Sequence, residues 1–282
     1  MSEGLLRSFY PAAISGDGHT VVGREWNYRP DEGTVPQSHA AVWHRGTLSW
    51  LAEPSHPPHV PPHALAYAIN RDGSVIAGLA SLAAPGRILN GACVWYDGLP
   101  FHTPGTGYPN VQPVLISGIS ANGSVVVGRA LVDEIYSMAF RISGGEFVPL
   151  EPLTGAAGQA TATGISADGQ VVVGFSTNEH GIDEAVRWVG NQVEALGPMP
   201  SWATASYATD TNQDGTVVVG RIMIGSMALH FRWCDGEYEI LDGLDPKDFL
   251  REKPEGTARI GLELARAEAV LAPEALLEQA HE

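Results

Sequence analysis

One figure stands five times in this chain and limits what the chain can fold into. It reads AISGDGHTVVG at 13–23, AINRDGSVIAG at 68–78, GISANGSVVVG at 118–128, GISADGQVVVG at 164–174 and DTNQDGTVVVG at 210–220. Its turn glycine recurs at Gly18, Gly73, Gly123, Gly169 and Gly215, with spacings of 55, 50, 46 and 46 residues. That is a repeat period with insertions early in the chain. Asp-Gly or Asn-Gly between two strand-like runs is the strongest short hairpin signal, because both central residues of such a turn need positive φ.

Each repeat carries a second pair of runs. AAVWHRGTLSWL (40–51), ACVWYDGLPFH (92–102), AFRISGGEFVPL (139–150), AVRWVGNQVEAL (185–196) and HFRWCDGEYEIL (230–241) each read strand, short turn, strand. One repeat is therefore four antiparallel strands, a to d. The b strands read Val-Val-Val instead of alternating, which predicts burial on both faces. A four-stranded sheet pressed between two similar sheets has that property, and radial packing about an axis supplies such neighbours. The expected fold is all-β, a five-bladed β-propeller of four-stranded antiparallel blades. The propeller is expected over residues 1–244, its repeats at about 10–51, 66–102, 116–150, 162–196 and 207–241. Stacked solenoid coils are the alternative, with shorter repeats as a rule. The 33 glycines and 20 prolines suit many short strands joined by turns.

The pattern Gly-Ile-Ser-Ala-Asp-Gly-x-Val-Val-Val-Gly, followed by Ala-Phe-x-Trp and a glycine turn, resembles the HAF-type extracellular repeat family over roughly residues 10–245. The first signature is kept in all five copies. The His-Ala-Phe triplet is loose, standing as His39-Ala40-Ala41, Gly91-Ala92-Cys93, Met138-Ala139-Phe140, Glu184-Ala185-Val186 and Leu229-His230-Phe231. The resemblance implies a repeat architecture and an exported or surface setting. It implies no particular activity.

The tail, 245–282, changes character. Ile260, Leu264, Ala267 and Leu271 fall on one helical face. Glu255/Arg259 and Arg259/Glu263 are i,i+4 pairs on the exposed side. Pro273 restarts a short second helix. A helical tail is expected, docked on the propeller or holding a partner.

A net charge of −16 argues against nucleic acid, which calls for a basic stripe. It favours a protein partner of opposite sign, or serves solubility alone. The N-terminus MSEGLLRSFY lacks the basic and apolar regions of a signal peptide, so a cytoplasmic setting is expected, against the exported one of the family. Gly and charge break every apolar run before membrane length, and no membrane insertion is expected. Cys93 and Cys234 fall in different repeats without a metal pattern and read as core thiols. No cofactor is expected.

Antiparallel order puts the a–b and c–d turns on one face and the b–c and d–a connections on the other. The long connections, 25–39, 52–65, 80–91 and 103–114, are all of the second kind. Loops on a rigid scaffold carry recognition, so that face is the candidate site. Arg24, Arg129 and Arg221 each follow the glycine of strand b, a place read as the lip of this face. They can fork onto Asp133, Glu134, Asp183 and Glu184 between blades, or onto an anionic ligand. Arg141, Arg187 and Arg232 on the c strands read as structural. Trp43, Trp95, Trp188 and Trp233 hold one repeat position and are expected to pack. Trp26, Tyr28 and Trp202 are aromatic residues in or beside connections, suited to protein or sugar contacts.

In HPPHVPPH (56–63), a polyproline helix points His56 and His59 the same way, where they could ligate a metal with Glu53. Stiffening of the loop is the expected role. No nucleophile elbow, HExxH, Walker loop or SxxK stands in the chain. The expected function is therefore non-catalytic recognition of a protein or glycan through Arg24, Trp26, Tyr28, Arg129, Asp133, Glu134, Trp202 and Arg221. The rival is a propeller hydrolase or lyase working with His59, Asp183 and Glu184 at the same mouth. A purely structural surface repeat is the third class.

Overall fold

The computed structural model describes residues 6–28, 37–53, 63–84, 87–102, 110–155 and 158–241. Blade 1 contains β1 (Leu6–Ile14), β2 (Thr20–Tyr28), β3 (Gln37–His44) and β4 (Thr47–Trp50). Blade 2 contains β5 (Ala64–Ile69), β6 (Val75–Ala84), β7 (Arg87–Tyr96) and β8 (Leu99–His102). Blade 3 contains β9 (Val111–Ile119), β10 (Val125–Val132), β11 (Tyr136–Ser143) and β12 (Glu146–Pro149). Blade 4 contains β13 (Ala160–Ile165), β14 (Val171–Thr177), β15 (Asp183–Val189) and β16 (Gln192–Ala195). Blade 5 contains β17 (Ala205–Thr211), β18 (Val217–Ile224), β19 (Met227–Cys234) and β20 (Glu237–Ile240). Each blade is one sheet whose strands pair in chain order. The fold is an all-β, five-bladed propeller.

Each letter of the repeated figure has a structural cause. The residue before the turn, Ser15, Asn70, Ser120, Ser166 or Asn212, uses its side-chain oxygen to accept the N–H five residues along, at 2.9–3.0 Å in all five blades. The turn's Asp17, Asp72, Asn122, Asp168 or Asp214 accepts the N–H two residues on, at 2.9–3.1 Å. These are Asx turns closing a hairpin. The glycine of strand b answers a different need. At Gly174 a Cβ would run into the carbonyl oxygen of Thr161, where the register shifts between Ala162 and Gly164. A bulged inner strand lies there against bare backbone.

The turn differs in type from the sequence expectation. Positive φ at both central residues occurs instead in c–d turns, at Arg45-Gly46, Asp97-Gly98, Gly144-Gly145 and Asp235-Gly236. In the a–b turns only the glycine is left-handed, Gly169 at φ 78°. The preceding Asp stays at negative φ because its carboxylate is already committed to the backbone of the same turn.

Side by side, the blades join through apolar cores. Val22, Ala40 and Leu51 pack with Ala66, Ile76 and Trp95 between blades 1 and 2. Ala77, Val94, Val126 and Phe140 lie between blades 2 and 3, and Val127, Leu150, Val172 and Trp188 between blades 3 and 4. Val173, Leu196, Val218 and Phe231 lie between blades 4 and 5. A backbone chain runs beside these cores from turn to turn. Gly16 N–H donates to Arg71 O (2.8 Å), Arg71 to Ala121 (3.2 Å), Ala121 to Ala167 (2.8 Å) and Ala167 to Gln213 (2.9 Å). The thiol of Cys93 belongs to this packing, and burial pushes its pKa up to about 12. Cys234 is only half-buried, against the expectation of a core thiol, with its Sγ 3.4 Å from the Asp235 carboxylate.

Two outcomes follow. Gly169→Val forces a branched side chain into a left-handed turn and against Val125; it is expected to cost about 1 kcal/mol or more, read as a lower urea midpoint. Asp17, Asp72, Asp168 and Asp214 are held below the ordinary carboxylate value, first by the hydroxyl or side chain of the same turn and then by its backbone N–H. Their stabilisation is full above the ordinary value and fades as pH falls through the lowered one. Replacing all four by Asn, which blade 3 already uses, is expected to flatten the loss of melting temperature between about pH 5 and pH 2.

Candidate functional site

The arginines of strand b do not stand at a lip. Strand b continues past its glycine, and Arg24 pairs with Tyr10 and Ala40, Arg129 with Leu115 and Ala139, and Arg221 with Tyr207 and His230 in the middle of their sheets. Arg24 and Arg221 lie over the rings of Tyr10 and Tyr207, each 5.0 Å from the centroid. Arg129 is half-buried, and its Nε has no hydrogen-bond partner among the described residues. No ion pair among the described residues joins these arginines to Asp133, Glu134, Asp183 or Glu184. Two c-strand arginines reach the next blade: Arg141 donates to Gly190 O (3.4 Å), and Arg187 lies 5.0 Å from the Trp233 ring while pairing with Glu194 (2.8 Å); Arg232 pairs with Glu239 of its own blade (3.4 Å).

Asp183 and Glu184 open strand β15. Asp183 accepts the hydroxyls of Thr177 (3.1 Å) and Tyr207 (3.2 Å), and Glu184 accepts from Asn178 (3.4 Å). Burial, and then the Asp183 charge, raise the pKa of Tyr207, so its phenol stays a donor. The Tyr207 contact ties blade 4 to blade 5. Trp202 packs against the apolar core of the same joint. Trp26 is half-buried beside Ser38. His56, His59 and the side chain of Tyr28 lie outside the described residues, and so does the tail 245–282. Among the described residues no group of three His, Cys, Asp or Glu could hold a metal ion.

A polar cluster that the repeat pattern hides lies in blade 1. Glu25, where the other blades place Ala80, Ala130, Ser176 and Ile222, is buried and accepts the Trp50 indole N–H at 2.8 Å. Trp50 stacks on His39, ring centroids 3.9 Å apart, and His39 Nδ1 meets Glu53 Oε1 at 2.5 Å. The only signal in sequence was Glu25 at a position that is otherwise small or apolar.

Among the described residues, a groove of about 460 Å³ opens on the b–c/d–a face between blades 3 and 4. Val132, Met138, Pro149 and Leu150 line it, with Tyr136 on one side and Pro152 on the other. Its walls are braced. The b–c turn is tight, with Asp133 and Glu134 at φ 51° and 62°. The Trp188 indole holds Glu151 O at 2.7 Å, Ser176 Oγ accepts Leu153 N–H at 3.0 Å, and Gly155 N–H closes a turn onto Pro152 O at 3.1 Å. Glu151 and Tyr136 of the lining are exposed, and so are Asp133, Glu134 and Ile135 in the turn between Val132 and Tyr136. An apolar trough with an acidic rim results, on the face that the loop lengths single out.

No family model matches the chain, so the HAF resemblance stays one of motif. No curated protein resembles it in sequence. Among solved structures it is similar to a TolB-type protein of Agrobacterium tumefaciens, at TM-score 0.50 and 13% identity over 84% of this chain and 80% of that one. It is also similar to a prolyl endopeptidase (TM-score 0.56, 12% identity, 84% of this chain and 36% of that one). A puromycin hydrolase aligns at TM-score 0.55 and 13% identity, over 87% of this chain and 39% of that one. The chain thus spans little more than a third of the endopeptidase and of the hydrolase. At these identities the likeness is one of propeller fold.

His39→Ala removes the stack on Trp50 and one partner of Glu53 together. The expected loss is about 2 kcal/mol, the scale of a hydrogen bond to a charged group, measured by urea unfolding.

Proposed function

We propose that this propeller is a non-catalytic recognition scaffold that binds a protein segment in the groove between blades 3 and 4. The observation that carries the reading is the groove itself: apolar floor, braced walls, exposed Tyr136 and Ile135, and carboxylates only at the rim. Aromatic and aliphatic anchors in a desolvated pocket supply most of the affinity of an interface, while rim charges select the partner and speed encounter. The fitting ligand is a segment with one bulky apolar side chain flanked by Lys or Arg. The net charge of −16 favours the same sign of partner at long range.

Selection of a displayed peptide library on the full chain tests this. Enriched peptides are expected to share that pattern. Tyr136→Ala is expected to weaken them about thirtyfold, equivalent to about 2 kcal/mol, without moving the melting temperature. Asp133→Asn with Glu134→Gln is expected to slow association and to reduce its salt dependence. Peptides that bind Tyr136→Ala as tightly as the parent overturn the groove. A glycan array that responds where the peptide library does not moves the reading to a carbohydrate.

A further inference from the structure

One row of side chains crosses all four strands of every blade, on the face toward the blade before. In blade 1 it reads Ile14, Val21, Trp43 and Leu48, paired strand to strand. Trp95, Ile142, Trp188 and Trp233 hold the place of Trp43 in the later blades. They are at most 5% exposed, packed in the cores shared with the preceding blade. Trp43 itself is 36% exposed, Leu48 40% and Ile14 59%. This corrects the expectation that all four tryptophans pack alike. The turns agree with the side chains. Gly73, Gly123, Gly169 and Gly215 each rest on a residue of the blade before, and Gly18 has nothing within 4 Å among the described residues.

The next row of the same face holds Pro11, Gly23, Ala41 and Trp50. Trp50 is 46% exposed; it stacks on His39 and donates to Glu25, so its ring roofs the polar third row with apolar surface. No ionisable side chain stands in the first two rows. Blade 1 thus presents a flat apolar face of the kind that the other four blades bury.

We propose that a second copy of this chain covers this face, the two blade 1 sheets meeting across a two-fold axis. Size, charge and geometry favour that occupant. The exposed parts of Ile14, Trp43, Leu48 and Trp50 come to roughly 400 Å², in the range of functional patches on monomers. Two such faces with their margins bury about 1,000 Å², near the lower bound of a specific interface, so the dimer is a weak one. The two rows offer no charge for a basic or acidic partner to read. A two-fold pairing sets like against like and buries no ionised group. Sheet faces stack about 10 Å apart, which lets Trp43 of one copy lie on Leu48 of the other.

Blade 5 is a poorer cover. Within one chain no described core joins it to blade 1. A second copy docked head to tail on blade 5 would follow the curve of the same ring, and its blade 2 would fall on the first copy's blade 1. The two-fold pair closes at two copies. The charge of −16 on each copy opposes it at long range, so salt strengthens the dimer, the reverse of its effect on the groove's partner.

Sedimentation velocity on the unmodified full chain, from about 1 to about 100 µM, is the first test. The expected result is a monomer–dimer equilibrium with a Kd of about 10 µM, tightening severalfold between about 0.05 and about 0.5 M NaCl. A monomer over the whole range overturns the proposal, and so does a Kd that salt weakens. Leu48→Lys is expected to raise the Kd at least tenfold and Leu48→Ser at least threefold, while Tyr136→Ala leaves it unchanged. A dimer that both Leu48 variants keep overturns the face. Their melting temperatures at about 1 µM, below the Kd, are expected to match the parent's, which separates lost pairing from lost folding. Cross-linking then places the contact. In a Cys234→Ser background, Leu48→Cys is treated with a short bis-maleimide beside Leu99→Cys, a position 69% exposed on blade 2. Linked dimers from position 48 and not from 99 are the expected result; equal yields overturn it.

Discussion

In every blade one side-chain oxygen, of Ser15, Asn70, Ser120, Ser166 or Asn212, takes the N–H that starts strand b. Much of the architecture depends on that bond. It holds the four-residue turn, which leaves the second turn residue free to donate to the neighbouring blade. It also sets the turn glycine flat enough to rest on the blade before. A buried N–H without this acceptor would cost more than the bond itself contributes, since the polar group would be stranded away from water. The position accordingly accepts Ser or Asn, two residues whose oxygen is near the backbone.

Much of the fold was legible because period and turn chemistry are local. The Gly18-to-Gly215 series sets the number of blades, and Val125-Val126-Val127, buried on both sides, sets their packing. What escaped depended on strand length. Gly23, Gly128 and Gly220 read as strand ends, so Arg24, Arg129 and Arg221 read as a rim. The glycines instead mark the bulge of the neighbouring strand, and the pairing runs on for several more residues. A close backbone approach and a chain reversal select the same residue, and sequence alone does not separate them.

The candidate site was legible only in part. Asp133 and Glu134 stand in the turn between two lining residues, Val132 and Tyr136, while Met138, Pro149 and Leu150 also line the groove and are marked by the repeat pattern as ordinary strand residues. Its lining comes from two blades together, a property of no single repeat. Glu25 and His39 escaped for the opposite reason, because one blade departs from a pattern that the other four keep.

The direction of donation along the turns bears on synthesis. Gly16 waits for a carbonyl in blade 2, Arg71 for one in blade 3, and so on to Ala167. No described blade of the series needs a turn acceptor from the blade made before it. A chain emerging from its N-terminus can therefore add one finished sheet at a time, each arrival satisfying the last donor left open. The order in which the ribosome delivers the repeats is the order in which their backbone debts fall due.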